Sequence, residues 1–193
     1  MAYLEDQSLV FIHIPKNAGT SIIEQLGMSP HGHYSISNHP NFKEADHSFC
    51  IVRNPLDRLV SCYEYARMRE SKWHSFEGRT PYGPHPDYHL LHDKTFKECL
   101  KLLGEGKLQH QGWLPQWIWI SDEQRNIKVQ HILKMENLQE GLDGMFEKLD
   151  IPKIKIEKTN QSDRKDWKSY YDDESLLLAS HYYGADIKTF DYE

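Results

Sequence analysis

Two short stretches of this chain carry residues that can grip anions. In "PKNAGTS", Pro15 to Ser21, Lys16 precedes a small-residue turn, Asn17-Ala18-Gly19, and the hydroxyls of Thr20 and Ser21 follow it. Ala18 and Gly19 allow close approach to the backbone. Amides at a helix start have no acceptor one turn back, so the turn reads as an anion cradle with Lys16 as a full charge at its mouth. In "RNPLDRLVSCY", Arg53 to Tyr63, an apolar run ends in Arg53, and Ser61 follows on the next helix. A guanidinium fork and a hydroxyl can meet one phosphate from two directions. Arg58 reads equally as a further anion contact or as an ion-paired helix residue. Neither G-x-x-x-x-G-K-[ST] nor G-x-G-x-x-G is present, because the lysine comes before the turn. The second apolar run ends in Arg, where a Walker B strand would end in the Asp that holds Mg²⁺. The plain alternative for the first stretch is a strand-to-helix turn with an exposed lysine.

These residues need elements to hold them. "SLVFIHI", Ser8 to Ile14, is β-branched and aromatic and is stopped by Pro15, so it reads as a strand. A helix follows through "SIIEQLG", with Gly27 as its stop. Residues 28–46 are rich in Pro, Gly, Ser, Asn and His and read as a long connection. "SFCIVR", Ser48 to Arg53, is a second buried strand, and Pro55 sits where the first turn of the next helix loses nothing by lacking an N–H. That helix carries Leu56, Leu59, Val60 and Tyr63 on one side. Residues 71–93 form a second polar connection, and "TFKECLKLLGEG" a short helix ended by glycine. "LPQWIWIS" and "KVQHILKM" read as two β segments, and "NLQEGLDGMFEKLDI" and "DDESLLLASHYYGADI" as two helices. Recurrent strand–loop–helix units with buried strands predict an α/β domain on a mostly parallel sheet. Ligands of such sheets bind beyond the C-terminal strand ends, which points to 15–21, 28–46 and 53–61.

The chain's 193 residues fit one domain, 1–193. With 23 Lys plus Arg against 29 Asp plus Glu, the net charge is −6, which speaks against a nucleic-acid coat or a polybasic membrane binder. No apolar run reaches the roughly 18 residues of a membrane span, and the acids of "MAYLEDQ" do not suit a secretion signal. Cys50, Cys62 and Cys99 form no C-x-x-C pair and read as reduced thiols, so a cytoplasmic location is expected.

Together, "PKNAGTS" and "RNPLDRLVSCY" resemble the two nucleotide-binding signatures of sulfotransferases that use 3′-phosphoadenosine 5′-phosphosulfate (PAPS), in the flavour of the carbohydrate-type enzymes. "HQGWLPQ", "ILKMENL" and the tail from "TNQSDRKDW" to "TFDY" are similar to later blocks of that group, so the resemblance covers most of the chain. It implies a P-loop-like three-layer α/β fold, with a central sheet flanked by helices. It also implies transfer of a sulfuryl group from PAPS to a hydroxyl acceptor of carbohydrate type. Lys16, the amides of Asn17, Ala18, Gly19, Thr20 and Ser21, and the two hydroxyls would hold the 5′-phosphosulfate. Arg53 and Ser61 would hold the 3′-phosphate, with Ser162 and Arg164 closing over it.

The acceptor hydroxyl needs a base, and a histidine titrating near neutrality suits that task. His31 and His33, in "PHGHYS", lie on the connection expected over the strand ends. The "HGH" also resembles that of heparan sulfate 2-O-sulfotransferases, where the second histidine acts as base. The reading takes His33 as base and His31 as an acceptor contact. His110 is the runner-up base, with His110 and Trp113 as acceptor contacts. His13 reads as a hydrogen-bonded strand histidine, and Glu24 as a surface charge. His85, His89 and His92 have a helical spacing but no supporting ligand motif, and the chemistry needs no metal. Segments 28–46 and 71–93 are the expected acceptor walls. The competing readings are a P-loop-type small-molecule kinase and a non-catalytic nucleotide-binding protein on the same fold.

Overall fold

Strand formation in this chain follows its apolar runs and stops where proline or polar turns interrupt them. A computed structural model describes residues 3–4, 8–28, 32–80, 82–156 and 164–193. In chain order the elements are β1 (Tyr3–Leu4), β2 (Leu9–Ile12), α1 (Gly19–Gln25), β3 (His47–Val52), α2 (Pro55–Arg67), α3 (Tyr88–Leu91), α4 (Phe96–Gly104), α5 (Trp117–Ile120), β4 (His131–Lys134), α6 (Leu138–Lys148), α7 (Asp173–Tyr182) and α8 (Gly184–Thr189). They pack as two compact units: Met1–Asn54 with Pro115–Gln161, and Pro55–Leu114 with Ser162–Glu193.

The first unit is α/β. Its sheet has the order β1-β2-β3-β4. β2, β3 and β4 run parallel, with Ile12 opposite Cys50 and Val52 opposite Lys134, and β1 is added antiparallel at the edge. Strands of a parallel sheet are buried on both faces, and Leu9 to Ile12 are fully buried with no alternation. Leu9, Phe11, Phe49, Ile51 and Leu133 share one apolar cluster with Ile22 of α1 and with Leu142, Met145 and Phe146 of α6. Each such side chain contributes about 1.5–3 kcal/mol by leaving water.

The second unit is helical. Leu56, Leu59, Val60 and Tyr63 of α2 pack with Phe96, Cys99, Leu100 and Leu103 of α4 and with Ala179 and Tyr183. α4 starts with a reciprocal cap: Thr95 Oγ1 accepts from the Glu98 amide, and Glu98 Oε2 accepts from the Thr95 amide. All three cysteines are buried free thiols. Among the described residues, no helix is long and apolar enough to cross a membrane.

Three elements differ from the sequence reading. "WIWI" is the short helix α5, not a strand. Its alternating Ile and Trp mimic a β pattern, but Gln116 just before it is already helical, and Trp119 and Ile120 face inward together. The acid-led C-terminal stretch is two helices, because Tyr183 leaves helical geometry and its hydroxyl donates to the Trp113 carbonyl (2.6 Å). The 71–93 connection contains the short helix α3.

Candidate functional site

The chain leaves β2 at Ile12 and turns tightly before α1. Lys16 (φ 70°) and Ala18 (φ 58°) both adopt the left-handed region, which costs a non-glycine residue energy and must be held by its surroundings. Asn17, between them, supplies the hold. Its side chain is buried, and Nδ2 donates to the Ile51 carbonyl of β3 (2.7 Å) and to Gln116 Oε1 (2.7 Å). Asn17 Oδ1 is buried and accepts no hydrogen bond among the described residues. Gly19 opens α1 with no room for a side chain: a Cβ there would lie 1.9 Å from the His13 imidazole.

Arg53, one residue beyond β3, meets this turn directly. Its guanidinium donates to the Lys16 carbonyl (3.2 Å). Its backbone is fixed by Gln116, whose Oε1 accepts from the Arg53 amide (3.0 Å) and whose Nε2 donates to the Arg53 carbonyl (2.9 Å). The next amide, of Asn54, donates to Glu136 Oε1 (2.7 Å). The first unit therefore brings Lys16, Asn17, Gly19 and Arg53 together, with Ala18 on the same turn and Thr20 and Ser21 in the first turn of α1. Sequence reasoning missed the roles of Gln116 and Glu136, although both lie in the blocks "HQGWLPQ" and "ILKMENL". The signal for Gln116 was an amide set in an otherwise apolar run.

His13 and His33 stand beside this turn, with ring centroids 4.2 Å apart. His33 Nδ1 lies 2.9 Å from the His13 carbonyl. A carbonyl can only accept, so His33 Nδ1 donates to it. His13 stacks on Phe11. Burial holds its pKa well below the ordinary 6.5, with smaller contributions from the neighbouring His33 and Lys16. His31 and Ser162 lie outside the described residues.

The other expected residues belong to the second unit. Ser61 is buried on α2. Arg58 is neither a surface ion pair nor an open anion contact. It is 1% exposed, and its guanidinium donates to the carbonyls of Leu114 (3.1 Å) and Gly112 (2.9 Å). Arg164 pairs with Asp57 and lines a cavity of about 410 Å³ with Glu64, Lys165, Ser169 and Tyr170. The fully buried Asp87 carboxylate organises the 109–113 turn, accepting from the amides of Gln109 (2.7 Å) and His110 (3.0 Å) and from Trp113 Nε1 (2.8 Å). Trp113 thus lies in the core of its unit, and His110 Nδ1 accepts from the Gly112 amide (3.1 Å). His85 is buried while His89 and His92 are exposed, and no group of three or more His, Cys, Asp or Glu among the described residues could hold a metal ion.

No curated protein and no solved structure matches the chain. The family comparison, in contrast, spans all of it, from the Lys16 turn and the Arg53 strand end to the C-terminal helices. By that match over residues 1–193, the chain belongs to the sulfotransferase family.

Proposed function

We propose that this chain moves the sulfuryl group of PAPS to a hydroxyl acceptor of carbohydrate type. The observation that carries the reading is the bond from the Arg53 guanidinium to the Lys16 carbonyl (3.2 Å), which joins the two signature stretches in a member of this family. The residues suit the donor. The Lys16 ammonium and Arg53 guanidinium match its phosphates, and the backbone amides from Asn17 to Ser21 with the Thr20 and Ser21 hydroxyls are the further proposed donors. Lys16 and the amides would hold the 5′-phosphosulfate. Arg53 would hold the 3′-phosphate, a role the proposal shares with Ser61, Ser162 and Arg164. We take the whole chain, 1–193, as one domain of P-loop-like, three-layer type. Its buried free thiols suit the cytoplasm.

Sulfuryl transfer to an alcohol is an in-line displacement, with charge building on the departing bridging oxygen. Fixed donors stabilise that charge best, and Lys16 with the turn amides are such donors. His33 Nε2 takes the acceptor proton, since the bond from Nδ1 to His13 orients the ring for it. A neutral His13 spares His33 a second imidazolium at close range. His31, His110 and Trp113 are the proposed acceptor contacts, Trp113 through the turn it anchors on Asp87 rather than through an open ring face. Segments 28–46 and 71–93 form the acceptor walls, where Trp73 and Tyr82 are exposed.

The test is transfer of labelled sulfate from PAPS to a panel of saccharides, phenols and lipids. Label should reach a saccharide, and His33→Ala should lower turnover by about 10²–10⁴-fold while sparing nucleotide binding. Binding of PAPS with no labelled product in any class would make the chain a nucleotide binder instead.

A further inference from the structure

Gln116 has no ionisable group and no exposed surface, yet three of its hydrogen bonds reach both signature stretches. It is 0% exposed. Oε1 accepts from Asn17 Nδ2 (2.7 Å) and from the Arg53 amide (3.0 Å), and Nε2 donates to the Arg53 carbonyl (2.9 Å). The orientation is unambiguous: rotating the amide would set a donor against two donors and an acceptor against a carbonyl. Toward Arg53 the side chain acts as a strand neighbour would, pairing with both backbone groups of one residue just past the last β3–β4 partner, Val52. That fixes the Arg53 backbone and so the direction in which its guanidinium leaves the chain. Toward Asn17 it holds the centre of a turn whose flanking residues, Lys16 and Ala18, both have positive φ.

We infer that Gln116 is a positioning residue that sets the Arg53 guanidinium and the Lys16–Gly19 turn in fixed relation, so that they meet one nucleotide without rearranging. The inference rests on the proposed function, because it takes those two stretches as the nucleotide's partners. A buried amide with three hydrogen bonds to the two stretches is suited to the task. Asn17 is buried and cannot turn to water when Gln116 is removed, and the Arg53 backbone loses both of its side-chain partners, so the strained turn and the strand end relax together. The effect belongs in nucleotide affinity, since Gln116 needs no contact with the reacting atoms.

The test uses the full chain and 3′-phosphoadenosine 5′-phosphate (PAP), the desulfated product, by calorimetric titration. Gln116→Leu keeps the volume and removes all three bonds. Gln116→Glu keeps the acceptor oxygen and loses the bond to the Arg53 carbonyl. Thr95→Ala, at the α4 cap of the second unit, is the stability control. The expected result is a PAP Kd raised at least tenfold in Gln116→Leu and by less in Gln116→Glu, unchanged in Thr95→Ala, with faster hydrogen exchange at the Arg53 amide in Gln116→Leu. If Gln116→Leu does not fold, Gln116→Glu decides, with a Kd raised threefold or more expected. A folded Gln116 variant that binds PAP within twofold of wild type overturns the positioning role and leaves the proposed function standing. Failure of the wild-type chain to bind PAP overturns both.

Discussion

At the scale of single residues, the region around the first turn is arranged so tightly that small changes there should be felt. A Cβ on Gly19 would fall 1.9 Å from the His13 ring, and that half-buried ring is stacked on Phe11 with the His33 ring 4.2 Å away, so it has little room to withdraw. Gly19→Ala should therefore destabilise the fold by about 1–3 kcal/mol, read as a shifted urea midpoint, as overpacked cores do. An unshifted midpoint would mean that His13 moves freely. His13 also makes stability depend on pH. Unfolding restores an imidazole near 6.5, so between the depressed folded-state value and 6.5 the unfolded chain binds a proton that the folded chain does not. The stabilisation is complete above pH 6.5 and declines as the pH falls, with a slope of at most about 1.4 kcal/mol per pH unit for one proton. His13→Phe keeps a flat ring against Phe11, and urea melts from pH 7.5 to 5 should show its slope reduced by that one proton.

At the scale of elements, helix boundaries follow identifiable chemistry. The Thr95–Glu98 cap satisfies the first amides of α4, and Thr95→Ala should cost about 1 kcal/mol in a chemical melt. A cost near zero would make the reciprocal bonds incidental. Arg58 pins α2 to the Gly112–Leu114 turn, and Arg58→Met would leave two carbonyls without this donor. A loss on the order of 3 kcal/mol is expected, since Met fills the space but cannot donate. The elements legible from sequence were those whose signals are local: β2 and β3 from apolar runs ended by Pro15 and Arg53, α2 from Pro55 and its apolar stripe, α4 from its glycine end. The illegible ones depend on distant partners. "WIWI" carries a strand-like alternation that only its surroundings turn into a helix, and the break at Tyr183 exists because a hydroxyl reaches a carbonyl 70 residues away in sequence.

At the scale of the whole molecule, the family match spans the helical unit as well as the sheet unit, so both belong to the matched family region. The charged residues of the proposed site, Lys16 and Arg53, stand out in the sequence, and the structure brings their two stretches together. The bracing roles of the Asn17 and Gln116 side chains were not legible, because a buried side-chain amide leaves no periodicity and no charge in the sequence. Arg58 shows the converse: a charge close to the right spacing proved to be a buried strut. The most direct test of the account compares PAP with adenosine 5′-phosphate, which lacks the 3′-phosphate, by calorimetry on wild type and Arg53→Ala. Wild type is expected to prefer PAP, and Arg53→Ala to lose about 10- to 100-fold of its PAP affinity, the worth of charge-assisted bonds, while binding adenosine 5′-phosphate as before. A wild-type chain with no preference for PAP, or an Arg53→Ala variant that keeps it, would contradict the account.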